Sequence, residues 1–133
     1  MARVLVIEDN PANMKLALLL LRKAGYGTLA AADAEEGLRL AREQRPGLVL
    51  MDIQLPGMDG LQATRLLKAD EATRNIKVVA LTAYAMKGER DNIQAAGCDG
   101  YLAKPLRYRE FYAKVAEMLG ENAPPINPEG ENP

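Results

Sequence analysis

Leu48-Val49-Leu50-Met51-Asp52 decides the fold: four apolar residues in a row, stopped by one carboxylate. A strand with one wet face alternates apolar and polar residues, whereas a strand covered on both faces reads as a continuous apolar run. Working outward, the pattern recurs as Val4-Leu5-Val6-Ile7 before Glu8-Asp9, as Val78-Val79-Ala80-Leu81 before Thr82, and as Tyr101-Leu102-Ala103 before Lys104. Parallel strands end on one edge of their sheet, so three carboxylates, a hydroxyl and an ammonium are expected to meet there. Such a group suits a divalent cation and a phosphoryl group.

The segments between these runs have helical period and well-formed ends. Asn10 caps a helix with Pro11 at its first position and Gly25 just past its end, which predicts a helix over about 11–24. Asp33 and Glu36 have the spacing of a reciprocal cap for a helix carrying Ala34, Leu38 and Ala41 on one side, which Pro46 stops. A weaker strand, 26–32, precedes it. Pro56-Gly57 asks for a tight turn beside Asp52 before a helix over about 60–69, with Asp59 as its cap. The segment 86–96 is a helix with Ile93 nearly alone among polar residues, and weak burial makes it a candidate for motion. In the last helix, about 107–119, Tyr108, Phe111, Tyr112, Val115 and Met118 or Leu119 form a stripe that reads as core packing.

Five strands alternating with five helices predict an α/β doubly wound fold on a parallel sheet, in the order 2-1-3-4-5. That order puts the topological switch between the first and third strands, so the ligand crevice is flanked by Asp9 and Asp52. The 133 residues are one domain's worth, expected as a folded unit over 1–120. Residues 121–133, rich in Pro, Gly and Asn with almost nothing to bury, are expected to be a disordered tail.

Composition excludes several classes of chemistry. Seventeen basic and eighteen acidic residues give a net charge of -1 without a basic cluster, which argues against nucleic acid as a direct partner. The longest apolar run, Leu16 to Leu21, is far short of the ~20 residues that cross a bilayer, so no membrane span is expected. No signal-peptide pattern opens the chain, and a cytoplasmic location is expected. There is no histidine and one cysteine, Cys98, which removes disulfide frameworks, thiolate zinc sites and imidazole catalysis together. Cys98 reads as a small, half-buried structural residue, since no activating base is near it in sequence.

Over about residues 2–120 the chain resembles the receiver domain of two-component response regulators, of the stand-alone, single-domain type. The resemblance rests on Glu8-Asp9, on Asp52 within Leu-Met-Asp-Ile-Gln-Leu-Pro-Gly-Met-Asp-Gly, on Thr82 within Ala-Leu-Thr-Ala, and on Lys104-Pro105. It implies a flavodoxin-like receiver fold in which Asp52 accepts a phosphoryl group from a phosphohistidine donor. It implies Mg²⁺ held by Asp9, Asp52 and the backbone carbonyl of Gln54, with Glu8 acting through water; the family more often has Asp at that position. Lys104 is expected to pair with a phosphoryl oxygen, its bond to Pro105 being cis by resemblance. The hydroxyl of Thr82 and the N–H groups of Ile53 and Ala83 are expected to donate to the phosphoryl group. Tyr101 is expected to turn into the space that Thr82 vacates, and Tyr84 to flank the entrance. Asp33, Asp70, Asp91 and Asp99 read as solvated surface or turn residues.

The implied function is a phosphorylation-controlled switch, not an enzyme beyond self-catalysed phosphoryl acceptance and slow autodephosphorylation. Its implied partners are a sensor histidine kinase or phosphotransfer protein and a downstream target protein, met through the fourth helix, fifth strand and fifth helix. A receiver fold that binds partners constitutively is one alternative. Another is a phosphatase of the haloacid dehalogenase type, with its own Asp nucleophile, but Gln54 stands where that chemistry needs a second Asp. Dinucleotide or flavin binding is disfavoured because Glu8-Asp9-Asn10-Pro11 offers no glycine-rich phosphate cradle.

Overall fold

The computed structural model describes residues 2–120; the expected tail lies outside the described residues. The strands are β1 (Arg3–Ile7), β2 (Gly27–Ala31), β3 (Leu48–Asp52), β4 (Lys77–Thr82) and β5 (Gly100–Ala103). Between and after them run α1 (Pro11–Lys23), α2 (Ala34–Gln44), α3 (Gly60–Ala69), α4 (Lys87–Ala95) and α5 (Tyr108–Leu119). All strand pairs are parallel, and the sheet order is β2-β1-β3-β4-β5.

The central strands are apolar throughout because successive side chains point to opposite faces and both faces are covered. Val4, Val6, Leu48, Leu50, Val79 and Leu81 pack with Ala17, Leu20 and Leu21 of α1 and Phe111, Tyr112 and Val115 of α5. Their neighbours Leu5, Ile7, Val49, Met51 and Val78 pack on the other face with Ala34 and Ala41 of α2 and Ala63 and Leu67 of α3. A smaller cluster of Ile53, Ala80 and Ile93, flanked by Leu61, Cys98 and Tyr101, seats α4. At about 1.5–3 kcal/mol for each large side chain buried, the two main clusters dominate the stability of the fold.

Local chemistry sets the helix ends. Asn10 Oδ1 accepts the N–H groups of Ala12 and Asn13, and Gly25, at φ +89°, turns the chain out of α1. Asp33 accepts the N–H of Glu36 at 2.8 Å, but the reciprocal cap is found elsewhere, at Asp59 and Gln62. The core stripe of α2 also differs from expectation. Leu38 is half-buried, while Gly37 occupies the core position, where any Cβ would run into the side chain of Ile7.

Candidate phosphoryl-acceptor site

Register builds the site. Ile7 pairs with Met51, so Glu8 leaves β1 beside Asp52, the last residue of β3. Thr82 pairs with Ala103, so Lys104 leaves β5 beside the end of β4, and its N–H donates to Thr82 O at 2.8 Å. Four strands thus deliver an acidic pair, an acid, a hydroxyl and an amine to the carboxyl edge, at the switch point between β1 and β3.

Glu8, Asp9 and Asp52 each place a carboxylate oxygen within 4.8 Å of the others. Glu8 and Asp52 are buried, at 2% and 3% exposure, and Asp9 is exposed. Lys104 Nζ sits 2.9 Å from Glu8 Oε1 and 3.1 Å from Asp52 Oδ2. One ammonium contacts the two buried carboxylates, and Asp9 adds a third acid at the exposed side, so acids outnumber the cation. Burial, together with the adjacent Asp52 carboxyl, pushes Glu8 up to about 7, against the opposing influence of Lys104 and the Asn10 N–H. Burial works against the Lys104 ammonium, yet its contact with Glu8 and the charge of Asp52 outweigh that and raise its pKa.

An all-oxygen donor set is what a hard divalent cation such as Mg²⁺ takes. Glu8 Oε1 is buried without an aligned hydrogen bond among the described residues, its contact with Lys104 being one of charge. Lys104 is shared between Glu8 and Asp52, and three carboxylates within 4.8 Å outnumber that one ammonium, so the donor set fits a further, divalent cation.

Asp52 is held from below. Its Oδ1 accepts the N–H of Gln54 at 2.9 Å, which leaves Oδ2 toward Lys104. The N–H of Ile53, expected to face a phosphoryl group, donates instead to Leu81 O at 3.3 Å and continues the β3–β4 ladder. Gly60 brings the first turn of α3 against this strand end. A Cβ there would collide with the Asp52 carbonyl oxygen and stand 2.7 Å from Ile53 Cα.

Thr82 is 1% exposed, and its hydroxyl is occupied: it accepts the N–H of Tyr84 at 3.1 Å and donates to Tyr84 O at 3.3 Å. Tyr101 is half-buried against the Ile53, Ala80 and Ile93 cluster. The side chain of Tyr84 is 62% exposed. The Lys104–Pro105 peptide is cis.

Asn10 caps α1, as expected from its position, and does more: its N–H also donates to Glu8 Oε2 at 3.2 Å. Asp99, expected as a solvated residue, is engaged by two donors: its Oδ2 accepts both Lys68 Nζ at 2.9 Å and the N–H of Val78 at 2.8 Å. No local signal marks a pair 31 residues apart. Cys98 is structural as expected: its thiol donates to Thr64 Oγ1 at 3.7 Å, and burial pushes its pKa up.

A doubly wound sheet whose switch point carries an acidic trio opposed by a lysine defines a class of phosphoryl-accepting signalling domain. Residues 4–116 match the response regulator receiver domain family, and the chain belongs to it. It is a phosphorylation-controlled switch of the two-component type. The polar-differentiation response regulator DivK of Brucella anthropi is 45% identical over 118 residues, covering 89% of this chain and 96% of that protein. The receiver domain of the sensor histidine kinase PA1611 from Pseudomonas aeruginosa PAO1, solved with a magnesium ion coordinated in its active-site cleft, is 38% identical. Its TM-score is 0.84, covering 90% of this chain and 98% of that one. A CheY-like receiver domain protein from Methanospirillum hungatei is 31% identical with a TM-score of 0.81, covering 90% and 94%. Among the described residues, no helix is long and apolar enough to cross a membrane.

Proposed function

We propose that this chain relays a signal by accepting a phosphoryl group on Asp52 from a phosphohistidine donor. The convergence of Glu8, Asp9, Asp52 and Lys104 at the switch point carries this reading. Asp52 is the nucleophile: a P–O bond forms at its carboxylate as the donor P–N bond breaks and the imidazole leaves. Glu8, Asp9, Asp52 and the carbonyl of Gln54 would hold Mg²⁺, which supplies neutralisation of charge on the transferring oxygens. Lys104, already 3.1 Å from Asp52, pairs with a phosphoryl oxygen as a point charge.

The phosphoryl group adds about -1.5 to -2 charges and three acceptor oxygens. That draws the Thr82 hydroxyl away from the Tyr84 backbone, and Tyr101 turns toward the vacated space. The α4–β5–α5 surface then carries the change to a downstream target protein. The donor in this reading is a sensor histidine kinase or a phosphotransfer protein, the setting is the cytoplasm, and the chain's own chemistry is limited to self-catalysed acceptance and slow autodephosphorylation. With Mg²⁺ and a donor kinase, the wild type should acquire one phosphoryl group and Asp52→Asn none; persistent labelling of the variant, read by intact mass, overturns the assignment.

A further inference from the structure

Three residues of α3, Gly60, Thr64 and Lys68, are spaced four apart and so share one helix face. From Gly60 to Lys68 the face spans nine residues, about 12 Å of helix axis. Its first member, Gly60, is seated on the carbonyl of Asp52 and the Cα of Ile53, and its N–H donates to Ile53 O at 3.3 Å.

The second, Thr64, is fully buried; its hydroxyl donates to Gly60 O at 2.8 Å and accepts the Cys98 thiol at 3.7 Å. The third, Lys68, sends its ammonium to Ile76 O at 2.8 Å, Asp99 Oδ2 at 2.9 Å and Arg74 O at 3.5 Å. Its stem lies under Gly97, where φ is +100° and a Cβ would come 3.1 Å from Lys68 Cγ.

Thus one stripe touches the acceptor strand at one end and residues 97–99, the turn between α4 and β5, at the other. Asp99 passes the contact on by accepting the N–H of Val78 at the start of β4. This route uses neither Thr82 nor Tyr101.

We infer that the Gly60–Thr64–Lys68 stripe of α3 is a positioning element for Asp52, tied at its far end to the α4–β5 turn. The stripe fixes the backbone from which the Asp52 carboxylate projects, and in-line attack depends on that aim. A helix is stiff along its axis, so a shift at residues 97–99 is felt at Gly60. By linkage, whatever binds the α4–β5 turn more tightly in one phosphorylation state shifts the phosphorylation equilibrium of Asp52 toward that state.

The inference rests on Asp52 being the acceptor, and its test separates the two claims. Full-length protein is mixed with saturating Mg²⁺ and acetyl phosphate, and phosphoryl uptake is followed by intact mass alongside melting temperature. Thr64→Val, which keeps shape and loses the hydroxyl, should lower the maximal rate about fivefold, the worth of one buried hydrogen bond, with the half-saturating donor concentration unchanged. Thr64→Ser should restore the rate, and Lys68→Met, which keeps the packed stem, should lower it about twofold. A wild-type maximal rate in Thr64→Val, or Thr64→Ser as slow as Thr64→Val, overturns the positioning role whatever the melting temperatures. A wild-type rate in Lys68→Met removes the tie to the turn and overturns the inference as stated. Absence of uptake in the wild type, or uptake by Asp52→Asn, refutes the acceptor assignment instead.

Discussion

The corner after β3 and the corner after β4 start alike and are built in opposite ways. Each strand ends at the carboxyl edge with a residue of the site, and a short loop leads into a helix. At the first, Asp59 and Gln62 close a capping box, and α3 buries Gly60, Ala63, Thr64 and Leu67. At the second, Met86 takes the cap position, makes no side-chain bond to the helix and is 70% exposed, while α4 buries Ile93 alone. Asp52 therefore projects from a packed wall, whereas Thr82 opens onto a loop that its own hydroxyl holds through Tyr84. The contrast matches the demands on each. A nucleophile gains from fixed aim, and an element that reports a change must be able to change.

Gly60→Ala should break the rigid corner and give the largest effect. The added Cβ meets backbone, not the end of a flexible side chain, so the helix or the strand must move. Overpacking of this kind costs about 1–3 kcal/mol, at the upper end where backbone is struck, beyond any gain in helix propensity. Chemical denaturation would show it as a lower midpoint at unchanged slope. Stability within about 0.5 kcal/mol of wild type would mean that the α3 corner yields as easily as the α4 corner.

A packed corner also keeps its acids together whatever their charge, and pH should sharpen that point. Glu8 in the folded chain is raised from 4.5 to about 7 by burial and by Asp52. A raised acid stabilises the fold fully below its unfolded pKa and loses that contribution as pH climbs through the folded value. Lys104, raised from 10.5, holds its contribution constant across this window, and Asp70, lowered from 3.8 by the Ala72 N–H and Arg42, changes mainly below it. Metal-free wild type should therefore lose stability between pH 4.5 and 7 relative to Glu8→Gln, as read by melting temperature in chelator. Mg²⁺ should recover more at pH 8 than at pH 5, since the ion competes with the proton. Parallel melting curves for the two proteins across that range would show that Glu8 does not titrate there.

The same two corners show what could be read from the sequence. Continuous apolar runs survive into the structure as β1, β3 and β4 because a strand buried on both faces leaves no polar position, and the residues that stop them mark the edge. The edge strand β2 reads weakly because Gly27-Thr28-Leu29-Ala30 is only partly covered. Spacing alone could not say whether Asp33–Glu36 or Asp59–Gln62 closes a reciprocal cap, since both pairs have it. Gly37 and Gly60 were illegible for a different reason. A glycine chosen for close approach has no side chain to enter a hydrophobic pattern, and its partner lies on another element. The Lys68–Asp99 pair was hidden by 31 residues of separation, and a lone charged residue reads by default as solvated.

The smallest effect belongs to the second corner, where Gly88 occupies the first turn of α4 much as Gly60 opens α3. A Cβ at Gly88 meets nothing within 4 Å, and its φ is not positive. Neither close approach nor conformation requires glycine there, so Gly88→Ala should stabilise the helix by about 0.5–1 kcal/mol. Where that gain appears is the informative part. If α4 opens as a unit of its own, amide exchange over residues 90–95 should slow about two- to fivefold while the global denaturation midpoint barely moves. If the midpoint rises by the full amount, α4 unfolds only together with the core, and its single buried residue is enough to bind it there. That outcome would leave the β4 corner as rigid as the β3 corner, and the division between a fixed acceptor and a movable reporter would have to lie in the Thr82–Tyr84 loop alone.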